Sequence, residues 1–368
     1  MRVLMTTDMI GGVWTFTREL AAGLLDRGCC VAIASIGPSP TAAQRRWIEE
    51  QLDFWPDQFV FACNDAPLEW MPDNHRALTV GGRFLMSLSN AFRPDVFLSS
   101  QYCFGALPIS VPKIVVAHSD VLSWAKACRP HGLEPSDWLE QYCSIVSDGI
   151  GQADAVVAPT LWMLEALAEE FSPLPEAYVI PNGCAIPPGR VEPLRKVQAV
   201  TAGRLWDEAK NLQTLEEIKS AIPIIAAGEI PREIRGHARP SGNLRLTGHL
   251  DHADLLKLFR QSMIYICASV YEPFGYSAVE AALCGCLVIA NDIPSLREVW
   301  GDHALFFDDE DSLSTLLALL KENPSFRARA RRRSLARAMQ FTSRRMCGRY
   351  LDLLQSFVPN SKSDSYAA

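Results

Sequence analysis

Apolar residues in this chain fall into short blocks separated by stretches of helical spacing. Arg2–Thr6 is the first block. Gly11-Gly12 interrupts it, and Val13, Phe16, Leu20 and Leu24 then recur at three- and four-residue steps until Gly28. Such steps place side chains on one face of a helix, whereas a short continuous apolar block suits a strand covered on both sides. Cys30–Ile36 is the next block, closed by Gly37-Pro38-Ser39-Pro40. Strand, helix and strand in so short a span predict a parallel β-α-β unit. Val96–Ser99, Ile114–Ala117 and Ala155–Ala158 read as further buried strands. From Val179 the texture changes. Ile180-Pro181-Asn182-Gly183 is a turn, and Pro187-Pro188-Gly189 with Pro193 is linker chemistry. A second series follows, with strands expected at Ala199–Ala202, Ile222–Ala227, Leu244–Thr247, Met263–Ala268 and Leu287–Ala290. Helices are expected over Asn211–Lys219, Ala253–Gln261 and Tyr276–Leu283.

The pattern therefore predicts an α/β protein of two doubly wound, parallel-sheet domains. The first covers 1–183, a linker 184–195, and the second 196–340. A C-terminal helix over 341–358 is expected to return to the first domain, followed by a disordered tail at 359–368. In doubly wound sheets ligands bind beyond the carboxyl ends of the strands, so residues just after strands become the candidates.

Composition narrows the class. At 368 residues the chain is long enough for two cores, and 48% hydrophobic with 21% charged residues is ordinary globular composition. Apolar runs such as Ala281–Ala290 fall well short of the roughly 18 residues a membrane-spanning helix needs. Thr6, Thr7 and Asp8 break the opening run before a signal peptide can form, so a cytoplasmic chain is expected. The eleven cysteines are scattered, without a C-x-x-C pair, and read as reduced thiols. A net charge of −7 argues against nucleic-acid binding. The charge is uneven, however. Residues 327–349 hold nine arginines and no acid, which reads either as a solvated helix face or as a site for an anionic membrane or acceptor.

Three segments carry chemistry. Gly11-Gly12 follows a strand and opens a helix, where glycine allows close backbone approach and the helix start offers N–H groups to an anion. It is not a dinucleotide fingerprint, because Val13, Trp14 and Thr15 follow. Arg204 and Lys210 lie just past a strand end, in Gly203-Arg204-Leu205-Trp206-Asp207-Glu208-Ala209-Lys210. Two cations there suit a diphosphate, and they equally suit pairing with Asp207 and Glu208. The third segment runs from Ser269 through Glu272-Pro273-Phe274-Gly275-Tyr276 to Glu280. Glu272 precedes a helix, and Glu280 sits inside that helix among Ala278, Val279, Ala281, Ala282 and Leu283. A carboxylate in such apolar company needs partners, which vicinal hydroxyls can supply.

These residues bring out a resemblance. Glu272-Pro273-Phe274-Gly275 with Glu280 forms an E-x7-E pattern, and Gly203-Arg204-Leu205, Lys210-Asn211, Pro181-Asn182-Gly183, Thr247-Gly248 and Gly11-Gly12 stand around it. Over roughly residues 1–355 the chain resembles the retaining glycosyltransferases of the GT-B fold, family GT4. The resemblance implies two Rossmann-like domains facing a central cleft, with the donor on the second and the acceptor on the first. It implies that Arg204 and Lys210 bind the diphosphate of a nucleotide sugar, and that Glu280 holds the ribose hydroxyls. Glu272 would contact the transferred sugar, with the backbone of Phe274 and Gly275, beside Tyr276, on its hydroxyls and phosphate. Gly11 and Gly12 would lie near the phosphates. His118, in Ala117-His118-Ser119-Asp120, matches a position facing the sugar, and Asp120 and Trp124 are expected on the acceptor side.

The resemblance also implies front-face attack. The acceptor hydroxyl approaches the side from which the diphosphate leaves, and the departing phosphate oxygen takes its proton. No protein nucleophile is needed, and Arg, Lys and a helix start stand in for a divalent metal. No cofactor is expected beyond the donor substrate. The acceptor, a glycan, a lipid-linked sugar or a small molecule, is expected to meet residues 60–135, where Trp70, Tyr102, Phe104 and Trp124 offer rings. A nucleotide-sugar epimerase of the same fold and a non-catalytic binding module remain alternatives.

Overall fold

The computed structural model describes residues 1–187, 195–229 and 243–358. The chain divides into two compact units. One comprises Met1–Val121, Glu134–Pro181 and the segment from Ser343. The other comprises Leu122–Leu133 and Asn182–Thr342.

The first unit is built on seven parallel strands: β1 (Arg2–Thr7), β2 (Cys30–Ile36), β3 (Phe59–Asn64), β4 (Val96–Ser99), β5 (Lys113–Val116), β6 (Ala155–Ala158) and β7 (Glu176–Val179). Their order across the sheet is β3-β2-β1-β4-β5-β6-β7. The second unit has six: β8 (Lys196–Ala202), β9 (Ile224–Ala227), β10 (Leu244–Gly248), β11 (Ser262–Cys267), β12 (Leu287–Asn291) and β13 (Leu305–Phe307), in the order β10-β9-β8-β11-β12-β13. All paired strands within both sheets are parallel. Each sheet starts at its middle, winds one way, then crosses over and winds the other. The switch lies between β1 and β4 in one and between β8 and β11 in the other.

Strand pleating explains why helices cover both faces of the second sheet. Val200, Tyr265, Cys267, Val288 and Ala290 point into one core with Phe259, Val279 and Leu296. Their neighbours Ala199, Ile264, Ile266, Leu287 and Ile289 point into another with Leu215, Leu313 and Leu317. A strand buried on both faces has no polar side, which is why each central strand reads as an unbroken apolar block. The blocks not singled out in the sequence are β3, β7 and β13, all edge strands. In β3 and β7 most positions are partly or fully exposed.

The expected boundary at 183 shifts. Asn182 begins the second unit because Cys184 pairs with Thr342 and donates its N–H to the Phe341 carbonyl. Residues 122–133 also belong to the second unit rather than the first. The linker expected at 184–195 falls partly on 188–194, and the tail on 359–368, both outside the described residues. Helix Ser343–Phe357 belongs to the first unit, where Ser343 Oγ donates to Glu19 at 2.5 Å and Cys347 Sγ lies 3.4 Å from the Glu19 carbonyl. All eleven cysteines are free thiols. Among the described residues no helix is long and apolar enough to cross a membrane.

The arginine run is divided between the units. Arg327 and Arg337 lie on helix Pro324–Ala338, and both bind the last carbonyls of other helices. Arg327 holds Leu320 and Lys321, and Arg337 holds Glu298 and Val299. These cations satisfy C-terminal carbonyls that a helix leaves without partners. Arg329, Arg332 and Arg333 are exposed on that helix, and Arg344, Arg345 and Arg349 are exposed in the first unit.

Candidate active site

The switch point of the second sheet collects three of the expected side chains. β8 ends at Ala202 and leads into Gly203-Arg204, and its neighbour β11 ends at Cys267 and leads into the 269–275 loop. The two loops are stitched together by the Val270 N–H, which donates to the Ala209 carbonyl at 2.9 Å. Lys210 Nζ donates to Glu272 Oε2 at 2.5 Å, and both side chains are largely buried. Burial works against the Lys210 charge, but the Glu272 carboxylate outweighs it and holds the pKa above the ordinary lysine value. Lys210 therefore stays an ammonium at neutral pH. Ser269 Oγ lies 3.4 Å from the same carboxylate oxygen of Glu272.

Arg204 takes the local partner. Its Nη2 donates to Asp207 Oδ2 at 2.9 Å, and its guanidinium lies 5.7 Å from the Trp206 ring centre. The sequence left both cations open to Asp207 and Glu208. The structure gives Arg204 to Asp207, Lys210 to Glu272, and Glu208 to Arg129 at 3.4 Å.

Gly275 caps helix Tyr276–Leu283 at φ 87°, ψ 60°, a left-handed conformation in which a Cβ is strained. The Ala278 and Val279 N–H groups donate to the Gly275 carbonyl at 3.1 and 3.2 Å, and the helix start presents the positive end of its dipole. Phe274 is buried against Tyr276 and Phe341, with ring centres 5.5 and 5.4 Å away, so only its backbone is available to a ligand. Glu280 is buried among the apolar residues of its helix. Its Oε1 meets His252 Nε2 at 2.8 Å. Sequence reading missed His252. The available signal was position, since it opens helix His252–Gln261 just after β10, another strand end.

Gly11, Gly12, His118 and Asp120 lie in the first unit. Gly11 caps helix Gly12–Leu25 at φ 63°, ψ −133°, so glycine is needed there for its backbone. His118 follows β5. Its ring lies 4.7 Å from that of Phe16, and its Nε2 lies 3.2 Å from Ser100 Oγ beyond β4. Burial lowers its pKa to about 3, so at neutral pH it is a neutral hydrogen-bonding group. Asp120 is buried.

This burial has a measurable cost in acid. The folded state refuses a proton that the unfolded chain accepts near pH 6.5, so stability falls as pH drops below that value. The slope from this group approaches about 1.4 kcal/mol per pH unit. Denaturant unfolding of wild type and His118→Asn between pH 7.5 and 4.5 should give curves that converge in acid; parallel curves would contradict the burial argument.

The expected acceptor-side rings separate. Tyr102 and Phe104 are core residues, 3% and 1% exposed, and Tyr102 OH donates to the Ser119 carbonyl. Trp70 is exposed. Trp124 belongs to the second unit, where its Nε1 donates to Asp207 Oδ1 at 3.2 Å.

Two family models match the chain: "Glycosyltransferase Family 4" over residues 10–186 and "Glycosyl transferases group 1" over residues 210–337. The chain belongs to glycosyltransferase family 4. It is similar to glycogen synthase of Mycobacterium tuberculosis, at 25% identity with 81% of this chain and 80% of that protein covered. Among solved structures it is similar to sucrose-phosphate synthase from Thermosynechococcus elongatus, with a TM-score of 0.76, 17% identity and 96% and 98% of the two chains covered. It is also similar to Anabaena HepE in complex with UDP-glucose, with a TM-score of 0.72, 16% identity and 97% and 100% covered. The fold of this family 4 enzyme is GT-B, and its activity is glycosyl transfer. The group 1 match begins at Lys210 and runs through Glu272, Gly275 and Glu280.

Proposed function

We propose that this glycosyltransferase moves a sugar from a nucleoside-diphosphate sugar to an acceptor hydroxyl with retention of anomeric configuration. The observation that carries the reading is the cluster of Arg204, Lys210, Glu272 and the Gly275-capped helix start at the switch point of the second sheet. The anionic end of such a donor needs what this cluster offers: a guanidinium, an ammonium kept charged, and the positive end of a helix dipole. Arg204 gives only Nη2 to Asp207, which leaves its other N–H groups for phosphate oxygens.

In this reading catalysis is positioning and electrostatics. As the sugar–oxygen bond breaks, negative charge grows on the diphosphate, and Arg204 and Lys210 stabilise it. The departing oxygen takes the acceptor's proton on the same face. Neutral His118 then contributes a hydrogen bond rather than a proton. Arg204 and Lys210 take the place a divalent metal would fill. The acceptor is a glycan, a lipid-linked sugar or a small hydroxyl compound, and Asp120 is its candidate ligand.

The test is incubation with UDP-, GDP- and ADP-sugars and a range of acceptors, following released nucleoside diphosphate and reading the product's anomeric configuration by NMR. Retention is expected, with turnover unchanged by chelator. An inverted product overturns the retaining mechanism, loss of turnover on chelation overturns the metal-free reading, and an altered sugar still on its nucleotide indicates an epimerase.

Glu280 is assigned to the ribose hydroxyls, with His252 fixing one of its oxygens. Glu280→Ala should raise the donor KM by about ten- to a hundredfold, the loss from removing a charged hydrogen-bond partner, with a smaller change in kcat. His252→Ala should raise it less, and His252→Gln, which keeps a donor, should recover part of the loss. An unchanged donor KM in Glu280→Ala removes the assignment.

A further inference from the structure

Asp207 is a buried carboxylate with three donors on it. Arg204 Nη2 reaches Oδ2 at 2.9 Å, while the Ala209 N–H at 3.0 Å and Trp124 Nε1 at 3.2 Å both reach Oδ1. Trp124 lies on the helix Val121–Cys128, whose residues from Leu122 onward belong to the second unit. The same stretch touches the other loop of the site. Ser123 Oγ lies 2.9 Å from Tyr271 OH, both buried, and Tyr271 directly precedes Glu272. Arg129 sits 5.1 Å from the Trp124 ring centre and reaches Glu208 at 3.4 Å. Residues far from both loops in sequence thus hold the loop of Arg204 and the loop of Glu272.

The consequence turns on how a carboxylate meets a guanidinium. With Oδ1 occupied, Asp207 can offer Arg204 only Oδ2, which is a single contact. Without the Trp124 donor, Oδ1 keeps the Ala209 N–H but regains one acceptor site, and the carboxylate can then form a forked, two-bond pair with Arg204, the stronger arrangement. A forked pair would occupy a second guanidinium N–H and bring the carboxylate's charge closer to any phosphate.

We propose that Trp124 is a positioning residue for diphosphate recognition: by holding Asp207 Oδ1 it keeps Arg204 singly bonded and available to the donor's phosphates. This inference rests on the assignment of Arg204 to the diphosphate. It replaces the expectation that Trp124 meets the acceptor.

The test uses the full chain and compares Trp124→Phe, which keeps an aromatic ring but loses the N–H, with wild type. UDP, GDP and ADP are titrated beside uridine, guanosine and adenosine. For whichever diphosphate binds wild type, Trp124→Phe is expected to bind it about fivefold more weakly, on the scale of one altered charged hydrogen bond. Affinity for the matching nucleoside should be unchanged, because it carries no phosphate. Asp207→Asn keeps the Oδ1 acceptor but cannot form the forked ion pair. It should bind the diphosphate at least as well as wild type, and Trp124→Phe should have no further effect in that background. Equal losses for nucleoside and diphosphate, unchanged diphosphate affinity, or weakened binding in Asp207→Asn would each overturn the role of Trp124. Unchanged diphosphate affinity in Arg204→Ala would overturn the diphosphate assignment itself, and the role of Trp124 with it.

Discussion

Lys210→Ala should lower kcat by at least ~10², with saturating donor and acceptor, the scale of losing one preorganised electrostatic stabiliser. Two effects add. The ammonium that would meet leaving-group charge is gone, and Glu272, its partner at 2.5 Å, is left as an uncompensated negative charge beside the diphosphate. Removing one member of a largely buried pair also costs stability, so turnover must be read alongside unfolding. The double variant Lys210→Ala/Glu272→Gln separates the two effects. It should recover much of the lost stability, because no lone buried charge remains, and little of the lost turnover. Near wild-type kcat in Lys210→Ala would remove Lys210 from the chemistry.

Gly228→Ala should be the most damaging single methyl in the second unit. A Cβ on Gly228 would lie 2.0 Å from the Gly203 carbonyl oxygen and 2.8 Å from Leu205 Cγ. Backbone is on the other side of the first contact, so relief requires the Gly203-Arg204 turn itself to move. A loss of about 3 kcal/mol is expected in denaturant unfolding, within the range for overpacked interiors. Donor binding should fall further than stability alone explains, because Arg204 moves with the turn. Gly348→Ala is the control. Its Cβ would meet nothing within 4 Å on helix Ser343–Phe357, so the same methyl should stabilise by up to about 1 kcal/mol through helix propensity. Equal effects at the two positions would contradict the close approach of Gly228 to the Gly203 carbonyl.

Much of the architecture is legible in one dimension. β2, β4, β6 and helix Tyr276–Leu283 match the expected ranges residue for residue, and β8, β9, β11 and β12 match to within a few residues. These central strands are buried on both faces and advertise themselves as uninterrupted apolar blocks. β3 and β7 escaped because exposed positions interrupt their apolar blocks, and β13 because it is only three residues long. The Glu272 and Glu280 spacing was legible because it is local. The pairing of Lys210 with Glu272 was not, being contact across 62 residues of chain.

That pairing depends on which strands lie side by side. β8 and β11 become neighbours because the sheet reverses its winding there, and periodicity carries no information about strand order. Trp124, Asp207 and His252 follow the same rule, each defined by a partner distant in sequence. The arginine run is the converse case. Contiguous in sequence, it is divided by the fold into carbonyl caps at Arg327 and Arg337, a partly buried Arg331 and exposed cations at the remaining positions. Residue order alone specifies the alternating elements, the parallel sheets and the motif-bearing loops, because burial on both faces and helical spacing are properties of neighbouring residues. Charge partners and the glycines that tolerate no methyl are settled only by the folded chain, since they depend on distances between segments that sequence separates.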